Sequence, residues 1–352
     1  MNILFVCSAR NWGGNERWTA LAMQVFKKNH NVHLCYRNAE LDEAFGTDIP
    51  KTKAPFTHGG DLKTYAILLR LIRQHQIDVI ISTKRKEYLI CAIISRVFRV
   101  SHVVRLGIAR PLPRLPWKRW VFEHGCNAIL VNANAIKDKL VVTGFKKAER
   151  IHVIYNGVPR QPEFSSQPHN RFRIISTGAL IARKGHDILI EAVSQLPEHL
   201  QKRLDVILLG EGRDRIRLQK KITDLNLQTN ICIAGFQKNP QQWLAESTLF
   251  VQLSENEGMS NSVLEAMALG ITVMTTNAGG MAELIQSGRN GLLVSRNAAD
   301  VAQALKKWMA SPDQLIKLGQ AGRKSVESNF SLETMGHELE HLLNEVAVAK
   351  VV

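Results

Sequence analysis

Two glutamates in a segment rich in glycine and serine form the strongest candidate for a reactive site. Glu257 and Glu265 are separated by seven residues, and they follow an apolar run at 249–253 that predicts a buried strand. Open parallel sheets bind ligands at the carboxyl ends of their strands. Glu257 falls in the loop after this strand, whereas residues 261–269 have a helical pattern that includes Glu265. We therefore expect one carboxylate in the loop and the other on the helix.

The start of that helix is suited to a phosphate. The first N–H groups of a helix lack partners within it and carry the positive end of its dipole, which favours a diphosphate. Glu265, about one turn into the helix, is positioned to accept hydrogen bonds from ribose hydroxyls. Two glutamates at this spacing are also common by chance, so a loop glutamate and an ordinary surface glutamate are the alternative. The predicted substrate-binding stretch is Gly258, Met259, Ser260, Asn261 and Ser262.

A pair of glycines near the N-terminus is a second candidate. Gly13 and Gly14 follow the first apolar run and open a helical pattern, and glycine lets the backbone approach a ligand closely. A Gly-Gly pair alone is more often a simple turn. The segment is not the G-x-G-x-x-G of dinucleotide-binding enzymes, which argues against a dehydrogenase.

One motif points to metal chemistry. His337 to His341 spell H-E-x-x-H, which on a helix can place two histidines on one face as zinc ligands. The sequence ends eleven residues after His341, so we expect a polar helix face and not a zinc site. There is no Asp-x-Asp and no Cys-x-x-Cys, and the sequence predicts neither a metal nor a cofactor.

Positive charge is concentrated in the first half of the chain. The 352 residues carry a formal net charge of +15. Residues 1–160 contain 26 Lys and Arg against 11 Asp and Glu, whereas residues 161–352 contain 20 of each class. This asymmetry favours an anionic partner for the first half, either a membrane surface, a phosphorylated acceptor or nucleic acid. A solvated basic face is the alternative. We expect no nucleic-acid partner, because the sequence has no recognisable binding motif or aromatic platform.

Apolar and amphipathic runs alternate along the chain, which predicts an α/β fold with parallel sheets covered on both faces. The polar segment 161–170, with two prolines and two serines, is typical of a linker. Helical patterns lie at 15–28, 62–75, 186–195, 213–225 and 261–269. The predicted strands are residues 3–7, 32–36, 77–82, 102–105, 128–132 and 151–155 before the linker, and 172–177, 206–209, 231–234, 249–253, 272–275 and 291–294 after it. We predict two doubly wound domains facing each other across a cleft.

Signals for export and membrane insertion are weak. The N-terminus begins with an apolar run and lacks a basic leader, which indicates a first strand and not a signal peptide. No stretch approaches the roughly 18 consecutive apolar residues of a membrane span. The five cysteines are scattered through apolar segments, as expected for free thiols in a reducing cytosol.

The segment around Glu257 resembles the signature of family-four retaining nucleotide-sugar glycosyltransferases, which have the two-domain GT-B fold. The resemblance is dense over residues 172–295. It includes a basic phosphate loop at 178–185, Gly210-Glu211-Gly212, Gly235-Phe236, a strand, double glycine and helix at 270–285, and a turn and strand at 288–294.

The resemblance implies roles for the residues of the second domain. Lys184, with Arg183 beside it, would neutralise the leaving diphosphate, a task that a metal ion performs in other glycosyltransferases. Glu257 would hold hydroxyls of the transferred sugar, and Glu265 the ribose. Gly235 and Phe236 would approach the base.

The resemblance also implies that Gly13 and Gly14 bind substrate, since in the family this loop closes over the diphosphate of the donor. Asn156-Gly157 resembles the family's hinge motif. Together these features imply an acceptor-binding domain at 1–160, a linker at 161–170, a nucleotide-sugar-binding domain at 171–331, and a C-terminal helix within 332–352. Packing of that helix on the first domain is one arrangement that the sequence leaves open.

Two positions depart from the family pattern. Ala179 stands where the family usually has Arg, so phosphate neutralisation would rest on Arg183 and Lys184. The segment 103–108 lacks the His that many relatives place there. Either Arg105 takes over a binding role, or the donor's own phosphate acts as base in a front-face mechanism. His124 is a further substitute, although a helix-surface histidine is the simpler reading.

Residues 110–120 interleave basic side chains with Trp, Leu and Pro. Cations suit anionic headgroups and indoles suit the membrane boundary, so this segment, with Lys84-Arg85-Lys86, favours contact with an anionic membrane surface. The alternatives are a proline-rich loop packed on the core, or an acceptor-phosphate site without a membrane.

The sequence therefore predicts a metal-independent retaining glycosyltransferase, cytoplasmic and peripheral at the inner face of the membrane. It would transfer a sugar from a nucleotide-diphosphate sugar to a lipid-linked or polysaccharide acceptor such as lipopolysaccharide core. A GT-B-like nucleotide-sugar epimerase or hydrolase and a catalytically silent membrane adaptor are the alternatives.

Overall fold

The structure, a computed structural model, describes residues 1–108, 115–162 and 171–348. The chain divides into two units, one formed by Met1–Gly157 with Leu332–Val352 and the other by Val158–Ser331. The predicted linker lies outside the described residues except for its first two positions. The first five residues of the predicted membrane segment 110–120 also lie outside them.

The first unit is built on a seven-stranded parallel sheet in the order β3-β2-β1-β4-β5-β6-β7. Its central strands are almost entirely apolar, as expected for strands covered on both faces. The strands are β1 (Asn2–Cys7), β2 (Asn31–Tyr36), β3 (Lys51–Lys53), β4 (Val79–Ser82), β5 (Ser101–Leu106), β6 (Ala128–Val131) and β7 (Ile151–Val153).

Helices cover both faces of this sheet. Alternate strand residues contribute to different clusters: Phe5 packs with one set of helices, and its neighbours Leu4 and Val6 pack with another. Asp61 caps the second helix by accepting from the Thr64 N–H at 3.2 Å. The helices that join these strands are α1 (Gly14–Phe26), α2 (Leu62–Gln74), α3 (Arg85–Phe98), α4 (Pro116–Glu123) and α5 (Asn134–Val142).

The second unit has a six-stranded parallel sheet in the order β10-β9-β8-β11-β12-β13. The strands are β8 (Phe172–Thr177), β9 (Leu204–Leu209), β10 (Ile231–Gly235), β11 (Leu249–Gln252), β12 (Thr272–Thr276) and β13 (Leu292–Val294). The helices are α6 (His186–Ser194), α7 (Glu198–Gln201), α8 (Arg215–Asp224), α9 (Pro240–Ala245), α10 (Asn261–Ala268), α11 (Met281–Leu284), α12 (Ala298–Met309) and α13 (Pro312–Asn329).

The last helix, α14 (Leu332–Val348), belongs to the first unit. Its apolar side chains Met335, Leu339, Leu342 and Leu343 are buried in the cluster that also contains α1 residues. The chain therefore completes the first unit only after it has built the second.

Both sheets wind outward in two directions from a central pair of strands, which confirms the predicted α/β class with two Rossmann-like domains. The predicted strands are all present. The structure adds β3, whose sequence Lys51-Thr52-Lys53 carries no apolar signal. Within the described ranges, no helix is both long and apolar enough to cross a membrane.

Candidate functional site

In the second unit, the direction of winding reverses between β8 and β11, which are neighbours in the sheet. The connection from β8 leads to β9 on one side, and the connection from β11 leads to β12 on the other. Ligands of open α/β sheets bind at such a switch point, beside the carboxyl ends of the two strands. The loops at 178–185 and 253–260 leave from these two ends.

The two loops bring together the three predicted catalytic side chains. Lys184 Nζ forms an ion pair with Glu257 Oε1. Arg183 Nη1 lies 3.5 Å from the same oxygen and also donates to the carbonyl oxygen of Asn256. The side chains of Lys184 and Glu257 are 16% and 12% exposed and that of Arg183 is 34% exposed, so all three border solvent.

Close backbone packing joins the two loops to each other. The Glu255 N–H donates to the Arg183 carbonyl at 2.9 Å. A Cβ at Gly185, whose φ is +73°, would overlap the carbonyl of Leu253, so only glycine allows this approach. Arg296 donates to the carbonyls of Leu253 at 3.1 Å and Ala182 at 3.0 Å, which ties both loops to a third segment.

Gln252 supports the carboxylate, and sequence reasoning missed it. This side chain is 1% exposed at the end of β11. Its Nε2 lies 3.4 Å from Glu257 Oε1, and its Oε1 accepts from the Ser260 hydroxyl at 2.8 Å. An amide at the end of an otherwise apolar strand was the available signal, because such a group needs a partner when it is buried.

The predicted substrate-binding stretch leads into α10. Ser260 is the N-cap residue, and Asn261 and Ser262 form the first turn. Glu265 follows one turn later and is buried. Gly258 accepts at its carbonyl from the Gly280 N–H at 3.1 Å. Met259 is buried beside them, so this stretch is packed against its surroundings.

Gly235 and Phe236 lie apart from the ion pair. They sit at the end of β10, which is two strands away from β8 at the edge of the sheet. Gly235 has φ +74°, and a Cβ there would lie 2.9 Å from Glu211 Oε1. Phe236 is exposed. The structure does not bring these two residues into contact with Lys184 or Glu257.

In the first unit, Arg105 occupies a buried polar network at the carboxyl end of β5. Its guanidinium donates to Asn15 Oδ1 and, at 3.2 Å, to Asn156 Oδ1, and it lies 4.1 Å from the centre of the Trp18 ring. Burial lowers the pKa of Arg105 to about 9, and the neighbouring Glu16 opposes this effect. Arg105 is only 2% exposed, so it orders the loops and does not face solvent directly.

Gly13 and Gly14 begin α1 after the loop that follows β1. Gly13 has extended backbone, and a Cβ at Gly14 would meet no atom within 4 Å. The backbone here does not require glycine, and the surface above Gly14 is open. Nearby, Lys84 Nζ pairs with the buried Glu16 at 2.6 Å.

Glu87 is a second buried residue that sequence reasoning missed. It accepts from three backbone N–H groups, those of Ser8 at 2.6 Å and of Thr83 and Lys84 at 2.7 Å each. Burial raises the pKa of Glu87 to about 7, although these hydrogen bonds oppose the rise. Its signal was a glutamate three residues into a helix, where it can cap the helix start.

The remaining candidates are placed as follows. Glu340, inside the H-E-x-x-H sequence, has its Oε2 atom 2.8 Å from His30 Nε2. Within the described residues, no group of three or more His, Cys, Asp or Glu side chains is placed to hold a metal ion. His124 is exposed at the end of α4, and its carbonyl accepts from Arg96 at 3.0 Å.

Two family models together match nearly the whole chain. Residues 158–325 match "Glycosyl transferases group 1", and residues 12–161 match "Glycosyltransferase Family 4". A lipopolysaccharide core biosynthesis glycosyltransferase from Rhizobium meliloti is 29% identical over 222 residues, which are 62% of this chain. The match spans 64% of that relative, less than two thirds of its length.

A longer match reaches an N-acetylgalactosaminyltransferase from Campylobacter jejuni whose name gives a diphospho-undecaprenol-linked sugar as its acceptor. It is 34% identical over 337 residues, covering 87% of this chain and 89% of the relative. Among solved structures, the HepE protein of Anabaena in complex with UDP-glucose superposes with a TM-score of 0.85 at 22% identity, covering 98% of this chain and 100% of that one. The chain therefore belongs to glycosyltransferase family 4 and has the GT-B fold.

Proposed function

We propose that this protein is a retaining, metal-independent glycosyltransferase that transfers a sugar from a nucleotide-diphosphate sugar to a lipid-linked or polysaccharide acceptor at the cytoplasmic membrane face. The observation that carries the proposal is the Lys184–Glu257 ion pair, with Arg183 beside it, at the switch point of the second sheet. The membership in family 4 supports the reaction type.

The cations account for activation of the leaving group. As the bond between the sugar and the diphosphate breaks, negative charge develops on the phosphate oxygens, and cations fixed at that place lower the barrier. Lys184 and Arg183 lie on one loop, so both reach the same small region. Their charges do the work that a divalent metal ion does in other transferases, and we therefore propose that none is needed.

The carboxylates account for orientation. Glu257 Oε1 contacts Gln252 Nε2 and forms an ion pair with Lys184. These contacts fix the carboxylate oxygens for hydroxyls of the transferred sugar. Glu265, one turn into α10, lies where ribose hydroxyls would follow a diphosphate bound at the helix start. We propose that Gly235 and Phe236 contact the base, further along the sheet edge.

The first unit is proposed to bind the acceptor. Gly13, Gly14 and the network of Arg105 lie at the carboxyl ends of its strands, where a ligand of this sheet would bind. The names of the Rhizobium and Campylobacter relatives assign them to lipopolysaccharide core biosynthesis and to transfer onto a diphospho-undecaprenol-linked sugar, respectively. Lipid-linked glycans of this kind would place the enzyme at the inner face of the membrane.

The first test is donor binding by calorimetry and thermal shift, in the presence of a chelator. UDP-sugars are tested first, because the Anabaena structure holds UDP-glucose, and GDP- and ADP-sugars follow. We expect saturable binding of one nucleotide class without metal. Lys184→Ala and Glu265→Ala should each weaken it at least about tenfold, the loss typical of one charge-assisted contact. Lys317→Ala, at an exposed position on α13, is the matched control and should bind like the wild type.

Absence of binding by the folded protein to all three classes would remove the basis of the proposal. Transfer is then measured with a lipid-linked acceptor, and the anomeric configuration of the product is read by NMR. Retention is expected. Release of free sugar and nucleotide at a rate that no acceptor changes would instead identify a hydrolase.

A further inference from the structure

The sheet of the first unit has its own switch point, which lies between the neighbouring strands β1 and β4. From β1 the chain turns to β2 on one side, and from β4 it turns to β5 on the other. The loops that follow β2, β1 and β4 therefore leave from the carboxyl ends of three adjacent strands. Open α/β sheets bind ligands at this place.

Three cationic side chains come together on these loops, one from each. Arg10 follows β1, Arg37 follows β2 directly, and Lys86 lies in the first turn of α3 after β4. The Asn38 side chain donates to the Arg10 carbonyl at 2.7 Å and so joins the first two loops. Burial, and next the charges of Arg37 and Arg10, lower the pKa of Lys86. We call Arg10, Arg37 and Lys86 the cation cluster.

The acids on the adjoining elements are engaged elsewhere. Glu16 pairs with Lys84, Glu40 accepts from the Asn38 amide at 3.3 Å, and Glu87 accepts from three backbone N–H groups. Within the described residues, no carboxylate forms an ion pair with a member of the cation cluster. Like charges that stand close together repel, and an anion bound among them removes this cost.

Arg37 differs from an ordinary surface arginine. Its Nη1 atom is buried and forms no hydrogen bond within the described part of the chain, although buried donors normally have partners because an unsatisfied one is costly. A solvated basic surface explains the exposed Arg10 and Lys86 but not this atom. A guanidinium presents its N–H groups in a planar fork that matches the oxygens of a carboxylate or a phosphate. The cation cluster therefore fits an oxyanion.

An aromatic side chain lies in the same loop as Arg10. Trp12 is only partly buried and packs edge-on against the buried Phe45, with ring centres 5.4 Å apart. This contact holds the indole in place. One face of a sugar ring carries C–H groups and packs well on an aromatic ring, and aromatic side chains beside a few polar groups are typical of small-molecule sites. The loop thus offers a surface for a sugar ring beside the charges that bind an oxyanion.

We propose that the cation cluster and Trp12 form a subsite for an acidic sugar of the acceptor. The sugar ring packs on Trp12, and its carboxylate or phosphoryl group binds Arg10, Arg37 and Lys86. This inference rests on the proposed function, because it names the chemical class of the acceptor that the first unit takes. A neutral sugar lacks the group that the cluster binds and should be a poor acceptor.

The test is ligand-observed NMR of the full-length protein with glucuronate, glucose 6-phosphate, glucose and inorganic phosphate as probes. We expect both acidic sugars to bind at least about tenfold more tightly than glucose, the gain typical of one charge-assisted contact. The tighter of the two shows whether the site prefers a carboxylate or a phosphoryl group. Inorganic phosphate should bind more weakly than glucose 6-phosphate, because it has no ring to pack on Trp12.

Variants separate the two parts of the subsite. Arg37→Gln and Lys86→Gln should each weaken binding of both acidic sugars at least about tenfold. Lys86 is exposed, so its variant tests the cluster even where Arg37→Gln fails to fold. Trp12→Ala should weaken binding of glucose 6-phosphate and leave that of inorganic phosphate unchanged. The matched controls are Arg203→Gln, at an exposed position before β9, and Trp308→Ala, at a partly buried position on α12, and both should bind like the wild type.

Three results would overturn the proposal. Glucose would bind as tightly as the acidic sugars, Lys86→Gln would bind the acidic sugars like the wild type, or inorganic phosphate would bind as tightly as glucose 6-phosphate. The last result would identify an ion site that does not recognise a sugar.

Calorimetric binding of the nucleotide sugar keeps this inference apart from the proposed function. The variants of the first unit leave Lys184 and Glu257 untouched, so their donor binding should equal that of the wild type. Donor binding without binding of acidic sugars would defeat only the subsite. Binding of acidic sugars that follows the variants as described, in a protein that binds no nucleotide sugar, would support the subsite and defeat the proposed transferase.

Discussion

At the scale of single residues, the geometry of the candidate donor site is set by side chains that have no part in chemistry. Gln252 bridges Glu257 and Ser260, and it is buried. Gly279 has φ +62°, and a Cβ there would overlap the carbonyl oxygen of Glu257. The carboxylate is therefore placed by its own backbone packing as much as by its ion pair with Lys184.

We predict that Gly279→Ala destabilises the second unit and displaces Glu257. The substitution forces a side chain into left-handed backbone, which costs about 1–2 kcal/mol, and adds an overlap with backbone that cannot rotate away. Urea unfolding and donor affinity are the measurements, and both should fall. Gly288→Ala is the matched control, since Gly288 has φ +78° and no atom within 4 Å of the added Cβ. Equal losses of stability and donor affinity in Gly279→Ala and Gly288→Ala would show that the overlap with the Glu257 carbonyl has no effect of its own.

At the scale of elements, Glu87 joins the loop after β1, the loop after β4 and the start of α3. Its two oxygens accept from three backbone N–H groups in a place without water access. The neighbouring Asn15, on α1, donates to the Thr83 carbonyl at 2.8 Å. The loops at the carboxyl edge of the first sheet are thus ordered by buried hydrogen bonds, which makes them a rigid platform for the proposed acceptor.

We predict that Glu87→Gln lowers the free energy of unfolding by about 1–3 kcal/mol, because an amide donor would face a buried N–H. The deficit should depend on pH. Burial raises the pKa of Glu87 from 4.5 to about 7 in the folded protein, so between these values the unfolded chain ionises while the folded carboxyl keeps its proton. Wild-type stability therefore falls as pH rises through this window. Glutamine does not titrate, so the stability of the variant does not change through this window. The difference in free energy of unfolding between the wild type and the variant therefore becomes smaller as pH rises.

Denaturant unfolding at several pH values measures this effect. Glu333→Gln, at an exposed position on α14, is the matched control and should change stability by less than about 0.5 kcal/mol. A deficit for Glu87→Gln that widens as pH rises would contradict the direction of the pKa shift.

At the scale of the whole molecule, the first unit is discontinuous in sequence. Helix α14 returns to it after residues 158–331 have formed the second unit. Its buried side chains join the cluster of Phe5, Trp18 and Phe26, and Ser101 donates to the Val346 carbonyl at 3.1 Å. The helix layer that α1 and α14 form on the first sheet is therefore incomplete until the last helix has been made.

We predict that Leu342→Ala loosens the first unit selectively. Removal of a buried leucine side chain costs about 2–5 kcal/mol, and Leu342 lies in the cluster shared by α1 and α14. Hydrogen exchange read by mass spectrometry should rise in β1 and α1 and stay unchanged in β8 and β9. Leu305→Ala, on α12 in the cluster of the second unit, should give the reverse pattern. An equal rise in both units for either variant would show that they unfold as one cooperative body.

The sequence by itself determined the two α/β series and the class of the fold. This succeeded because buried parallel strands are continuous apolar runs. Glu257, the start of α10 and Glu265 lie within one short segment, and the donor-side roles given to them stay a prediction. The family resemblance gave Lys184 and Glu257 separate roles, and their ion pair, which spans 73 residues, was not predicted from the sequence.

Only the tertiary structure decided the rest. Gln252 acts through Glu257 and Ser260 in the loop that follows it, and Glu87 acts partly through Ser8 of another loop. A buried polar residue carries no local pattern that names its partner. The short strand β3 has no apolar signal because it lies at the edge of the sheet. The two helix layers of the first unit emerge only when the sheet places α2–α5 on one face and α1 and α14 on the other. Sequence order cannot show this, because the face a helix covers depends on the strand to which the chain returns.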